Sequence, residues 1–104
     1  MGTILERIIL EKQKEIKSLK ELKQPFHLTQ NRHLSLISHL EGASNLAVIA
    51  EYKRASPSKG IINNKLDPAE QTKMYELNGA AAVSVLTDST FFKGSFQDLR
   101  SVRD

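Results

Sequence analysis

Two short, unbroken apolar runs separated by one strongly capped helix constrain this chain more than any other feature. The first run is Leu46-Ala-Val-Ile-Ala50, after Gly42, Ser44 and Asn45; the second is Ala80-Ala-Ala-Val-Ser-Val-Leu-Thr87. Each has the length of a strand and almost no polar interruption, which predicts strands buried on both faces, as in a parallel sheet. Between them, Asp67-Pro68-Ala69-Glu70 opens a helix. Asp caps it, Pro takes the first helical position, and Glu stands three past the cap. Asn78-Gly79 closes it. Ala69, Met74 and Leu77 are expected on its packed side, with Tyr75 at the margin. Strand, helix and strand at this spacing form a βαβ unit with parallel strands and a right-handed crossover.

The flanking segments add helices. Thr3 and Glu6 make a capping box, and Leu5, Ile8, Ile9, Ile16 and Leu19 recur with helical spacing, so residues 4–21 read as an amphipathic helix in need of a partner. Gln24-Pro25 stops it. Residues 24–45 are less regular, with a short helix expected around Leu34, Leu36, Ile37 and Leu40. After the second strand, Asp88 to Gly94 reads as a loop, and Ser95-Phe-Gln-Asp98 opens a last helix with a third capping box, continuing through Leu99 and Val102. Two parallel strands leave both outer edges open, so the order reads as the front of a larger α/β protein.

Composition narrows the function classes. The chain has 104 residues, 39% hydrophobic and 26% charged, which is globular and sufficient for one domain. The absence of Cys excludes disulfides, thiolate zinc sites and a Cys nucleophile within it. The net charge is +3, but six basic residues of the first 23 alternate with four Glu, a charged helix face rather than a phosphate track; no nucleic-acid partner is expected. No stretch reaches the roughly 20 apolar residues of a membrane span, and no signal peptide is recognisable, so no membrane association is expected and the expected compartment is the cytoplasm. His27, His33 and His39 recur every six residues without patterned carboxylates and read as surface or turn histidines rather than metal ligands.

Chemistry-bearing residues gather where the strands end. Alternation along a strand puts Ala47, Ile49, Glu51 and Lys53 on one face and Val48, Ala50 and Tyr52 on the other. An acid and a base two apart then leave the C-terminal end of a buried strand, where open α/β sheets and barrels bind ligands. Lys suits a phosphate or carboxylate, or proton transfer; Glu can orient it or accept from a substrate donor. A plain surface salt bridge is the alternative. The loop Ser56-Pro-Ser-Lys-Gly60 offers hydroxyls, a charge and a permissive backbone, but has neither P-loop nor GxGxxG spacing, and turn chemistry is its alternative. In the second loop, Phe91 and Phe92 are adjacent. One can pack back while the other faces a cleft suited to a planar group, or both can cover the sheet end.

Ile49-Ala-Glu-Tyr-Lys-Arg-Ala-Ser-Pro-Ser-Lys-Gly60 closely resembles the first-strand signature of the indole-3-glycerol-phosphate synthases, and Ala82-Val-Ser-Val-Leu-Thr-Asp88 with Phe91-Phe-Lys-Gly94 resembles their second strand and loop. Asp67-Pro68, the preceding helix, Leu99 and Val102 extend the likeness over essentially the whole chain. The resemblance implies an α/β fold: the N-terminal part of a (β/α)8 TIM barrel with an extra N-terminal helical segment, two parallel strands being present. Residues 1–45 would form the helical extension, and 46–104 the first two β/α units, cut within the second helix. It implies closure of 1-(2-carboxyphenylamino)-1-deoxyribulose 5-phosphate to indole-3-glycerol phosphate, CO2 and water, in tryptophan biosynthesis and without a cofactor. By match to the motif, Lys53 would lie near the anionic substrate, Glu51 would set the polar network, Ser56 would contact the phosphate, and Phe92 would line the pocket for the anthranilate ring.

The family's principal Lys acid, a further Glu and most phosphate-binding backbone groups belong to later strands, and such a barrel takes about 250 residues. This polypeptide alone is therefore expected to be inactive, with the missing C-terminal part of the barrel as its possible partner. Three other readings are a small βαβ module holding a phosphorylated ligand on Ser56–Gly60, a half-barrel that acts only by pairing, and a phosphoribosylanthranilate isomerase-like barrel.

Overall fold

The structure, a computed structural model, describes residues 2–22, 33–63 and 65–104. The chain forms two compact units, Met1–His33 and Leu34–Asp104.

In the first unit, helix α1 spans Ile4–Leu22. Its capping box is complete: the Glu6 N–H donates to Thr3 Oγ1 at 3.2 Å, and the Thr3 N–H donates to Glu6 Oε2 at 2.9 Å. Lys12–Glu15 and Lys14–Glu11 ion pairs, at 3.0 and 2.9 Å, line its polar surface. Each contributes a few tenths of a kcal/mol at most (about 0.2–0.5). The apolar stripe through Leu5, Ile9, Ile16 and Leu19 is exposed. Gln24 and Pro25, read as the helix stop, lie outside the described residues.

The second unit begins with α2, Leu36–Glu41, capped by Ser35, whose Oγ accepts the Ser38 N–H at 3.1 Å. Then follow β1 (Ile49–Tyr52), β2 (Ala55–Ser56), β3 (Gly60–Ile61), α3 (Pro68–Leu77), β4 (Ala82–Val85) and α4 (Phe96–Arg103). Strands β1 and β4 pair in parallel, Ile49 opposite Ala82 through Tyr52 opposite Val85, with α3 between them in the chain. This is the expected βαβ order, and α4 packs beside α3. The architecture is that of the opening β/α units of a (β/α)8 barrel, with an additional N-terminal helix.

Four features differ from the sequence expectation. First, β1 begins at Ile49 and includes Glu51 and Tyr52, because the ladder to β4 sets its limits. Second, the strands are not buried on both faces. Leu46, Val48 and Ile49 are exposed, and all of β4 is half-buried. In a two-stranded sheet each strand is an edge with one neighbour, so an apolar run has too little to pack against. Third, α3 buries Pro68 and Thr72, with Tyr75 half-buried, while Met74 and Leu77 are exposed. Helical spacing puts Met74 and Leu77 opposite the Pro68–Thr72 side. The buried Thr72 hydroxyl is satisfied by donating to the Pro68 carbonyl at 2.8 Å.

The fourth difference is in the Ser56–Gly60 segment, which forms an antiparallel hairpin rather than a plain loop. Ala55 pairs with Ile61 and Ser56 with Gly60. The Ile62 and Asn63 N–H groups donate to the Arg54 carbonyl at 2.8 and 3.0 Å, tying the hairpin to the strand it follows.

At the end of α3, Asn78 caps the helix and Gly79 takes φ +98, the left-handed position that turns the chain toward β4. Among the described residues the core of the unit is small: Tyr52, Ala55, Pro68, Thr72, Gly94 and Asp98. His33 and His39 are exposed, and His27 lies outside the described residues. Among the described residues, no helix is long and apolar enough to cross a membrane.

Candidate functional site at the C-terminal end of the parallel pair

The parallel register sets Glu51 opposite Ser84. Ser84 Oγ donates to Glu51 Oε2 at 3.2 Å, while Lys53 Nζ meets the other oxygen, Oε1, at 3.1 Å. The ammonium also lies over the Phe92 ring, 5.8 Å from its centroid, within cation–π range. Three of the four site residues expected from sequence, Glu51, Lys53 and Phe92, therefore form one cluster. The Lys53 and Glu51 side chains keep 34% and 44% of their surface in solvent, so a ligand can reach both. An ion pair this exposed contributes about 0–1 kcal/mol to stability.

Ser56 stands apart. Its hydroxyl belongs to the hairpin turn, accepting the Lys59 N–H at 3.2 Å with Ser58 Oγ at 3.4 Å. Phe91 and Phe92 are both half-buried in the loop after β4.

The opposite side of β1 anchors the cluster. Tyr52 is buried, and its hydroxyl donates to the Leu66 carbonyl at 2.9 Å. Burial pushes its phenol pKa up, partly offset by the nearby Arg54 charge. The Arg54 guanidinium lies 5.6 Å from the Tyr52 ring centroid and forks onto Asp98, with Nε–Oδ2 and Nη2–Oδ1 both 2.8 Å. The Arg54 hydrogen bonds hold the Asp98 carboxyl below the usual carboxylate range, against the opposing effect of burial. The same bonds raise the Arg54 pKa. The Ser95-Phe-Gln-Asp98 spacing predicts Asp98 as the far half of a capping box. Its N–H does donate to Ser95 Oγ, at 3.1 Å, but its carboxylate is directed to Arg54.

Sequence reasoning missed Ser84, Arg54 and the second role of Asp98. Ser84 carries a signal in retrospect: it is the one hydroxyl inside the apolar Ala80–Leu86 run. The Arg54–Asp98 pair spans 44 positions and has no local signature.

Chemically, the cluster offers an accessible cation for an anionic substrate group, a carboxylate that orients it, and an aromatic face for a planar ring. Comparison with known proteins gives these features a family. The model of the indole-3-glycerol phosphate synthase family matches residues 5–104. The chain is 50% identical over 104 residues to the indole-3-glycerol phosphate synthase of Bacillus cereus, covering 100% of this chain and 40% of that protein. It is 49% identical over 102 residues to the synthase of Oceanobacillus iheyensis, covering 98% and 39%, and 51% identical over 104 residues to that of Bacillus anthracis, covering 100% and 40%. The chain thus spans about two-fifths of the length of these relatives. With the family match running through β1, its hairpin, β4 and the Phe91–Gly94 loop, the chain belongs to the indole-3-glycerol phosphate synthase family.

Proposed function

We propose that this chain supplies the first two β/α units of an indole-3-glycerol phosphate synthase, in the tryptophan pathway. The reaction closes 1-(2-carboxyphenylamino)-1-deoxyribulose 5-phosphate to indole-3-glycerol phosphate with loss of CO2 and water. Residues 46–104 are assigned to the barrel and residues 1–45 to the extension before it, in a cytoplasmic protein. The observation that carries this reading is the Glu51–Lys53–Phe92 cluster, at the strand end where barrels of this kind bind substrate.

In this reading Lys53 binds the substrate's anionic carboxylate and holds a proton near the reacting centre. Glu51, braced by Ser84, fixes the Lys53 ammonium and accepts from a substrate donor. Phe92 stacks against the anthranilate ring. The Ser56 hydroxyl, held at the hairpin turn, contacts the phosphate. Ring closure and dehydration need both a proton donor and an acceptor, and a fixed Lys–Glu pair supplies one of each. The 104 residues alone are proposed to be inactive, because two strands provide only part of a site that such barrels assemble from several strand ends.

The test joins residues 1–104 to the remaining C-terminal portion of the Bacillus cereus relative, giving a completed barrel. Turnover is followed by indole-3-glycerol phosphate fluorescence. Activity is expected in the completed barrel and absent in the 104-residue chain. A folded completed barrel without activity defeats the synthase reading; activity in the 104-residue chain defeats the proposed dependence on later strands.

A further inference from the structure

We propose that Asp88 is a positioning residue for substrate binding: its carboxylate holds the backbone of Phe91 and Phe92 so that the Phe92 ring forms the aromatic wall beside Lys53. This rests on the synthase reading and deepens it, at a residue to which that reading assigns no role.

Beyond β4, the Leu86 N–H still donates to the Tyr52 carbonyl at 3.1 Å, so the rigid ladder extends one residue past the strand. Two residues later, Asp88 Oδ2 accepts two successive backbone N–H groups, from Phe91 at 2.6 Å and Phe92 at 3.2 Å. The Asp88 carbonyl accepts the Gly94 N–H at 2.7 Å. One residue therefore closes the 88–94 loop twice, with its side chain inside the turn and its main chain at the base.

The loop has little freedom elsewhere. Lys93 sits at φ +55, a left-handed conformation that a side-chain-bearing residue adopts only when its surroundings hold it there. Gly94 lies so close to the Leu86 carbonyl that a Cβ would overlap it. The Asp88 bonds to the Phe92 and Gly94 N–H groups bracket Lys93 and hold Gly94 itself. Asp has the reach for this geometry: one methylene carries an acceptor to N–H groups three and four residues on. The Asp88 bond to the Phe92 N–H holds the backbone from which this ring projects, its centroid 5.8 Å from Lys53 Nζ.

Asp88→Ala, Asp88→Asn and Asp88→Glu are made in the completed barrel, and Asp88→Ala also together with Phe92→Ala. Asp88→Ala is expected to raise the substrate KM about tenfold, the scale of a lost charge-assisted hydrogen bond, with a smaller change in kcat. Asn keeps an oxygen at the same reach and is expected to recover most of that loss. Asp88→Ala is expected to add nothing to Phe92→Ala. Backbone hydrogen exchange at Phe91 and Phe92 is expected to accelerate in Asp88→Ala and not in Asp88→Asn. Full additivity with Phe92→Ala, or unchanged exchange at both amides, overturns the proposal. If Asp88→Ala does not fold, Asp88→Glu decides. It keeps the charge but lengthens the reach by a methylene, and an unchanged KM there overturns the proposal as well. An unsubstituted completed barrel without turnover instead defeats the synthase reading and the substrate role with it, while the exchange data report separately whether Asp88 holds the loop.

Discussion

Successive residues at the end of β1 live under different constraints. Glu51 and Lys53 point to one side, 44% and 34% exposed, tied by an ion pair and a serine hydroxyl. Tyr52 points to the other and is 3% exposed, with its hydroxyl bonded to Leu66 and its ring beside an arginine that forks onto Asp98. The period of a strand makes this division possible, since a shift of one residue exchanges the two faces. The lesson is that the groups proposed to meet a ligand are held weakly by their own contacts. Their positions are inherited from the buried neighbours between them.

The contrast is broken most severely at the buried side. Asp98→Ala leaves the Arg54 guanidinium without its fork in a largely buried place and is expected to cost about 2–3 kcal/mol. Urea unfolding of the completed barrel measures it; a loss below about 0.5 kcal/mol, the range of ordinary surface substitutions, would show that the pair is not a structural strut.

The same pair gives a pH signature. Because Arg54 lowers the folded-state pKa of Asp98, its contribution is complete above the unfolded carboxylate pKa, about 3.9, and is lost as pH falls through the lower folded value. The parent protein should therefore lose stability below about pH 4 more steeply than Asp98→Ala. Parallel acid limbs in the two proteins would contradict this.

A smaller effect is expected one residue from the site. Tyr52→Phe keeps the ring and removes the bond to the Leu66 carbonyl, at a cost of about 1 kcal/mol. A matching loss of stability with little change in KM would place Tyr52 wholly on the structural side of the comparison. A large rise in KM without loss of stability would move it to the other.

How much of this was legible in the sequence depends on the range of the interactions. The sequence predicts α1 over residues 4–21 and the helix spans Ile4–Leu22, because a capping box and a 3.6-residue period act within a few positions. The strand–helix–strand order was legible for a similar reason: Asp67-Pro68 and Gly79 punctuate α3 locally. Apolar identity favours Met74 and Leu77 for the inward side of α3, whereas the buried positions are a proline and a back-bonded threonine. The hairpin at Ala55–Ile61 was hidden by its turn residues, which read as loop when each strand is only two residues long. At the candidate site, alternation put Glu51 and Lys53 on one face, but Ser84 and Asp98 join through contacts spanning 33 and 44 positions, which only the β1–β4 register and the packing of α4 bring about.

The smallest stability effect is expected where the functional effect is largest. Lys53→Ala removes one partner of an exposed ion pair, for which the usual contribution is about 0–1 kcal/mol, further weakened by salt. The Glu51 carboxylate left behind keeps the Ser84 hydroxyl and has solvent access, so it carries no burial penalty comparable to that of Arg54 without Asp98. The urea midpoint of Lys53→Ala should therefore shift little. If Lys53 has the proposed role, turnover of the completed barrel should fall by at least about tenfold, the scale of one lost charge-assisted contact to a substrate anion. Measuring both quantities on one preparation sharpens the comparison to a single substitution. A large stability loss with Lys53→Ala would mean that the exposed side of β1 also holds the fold together, and that the two sides of the strand are not divided between binding and support.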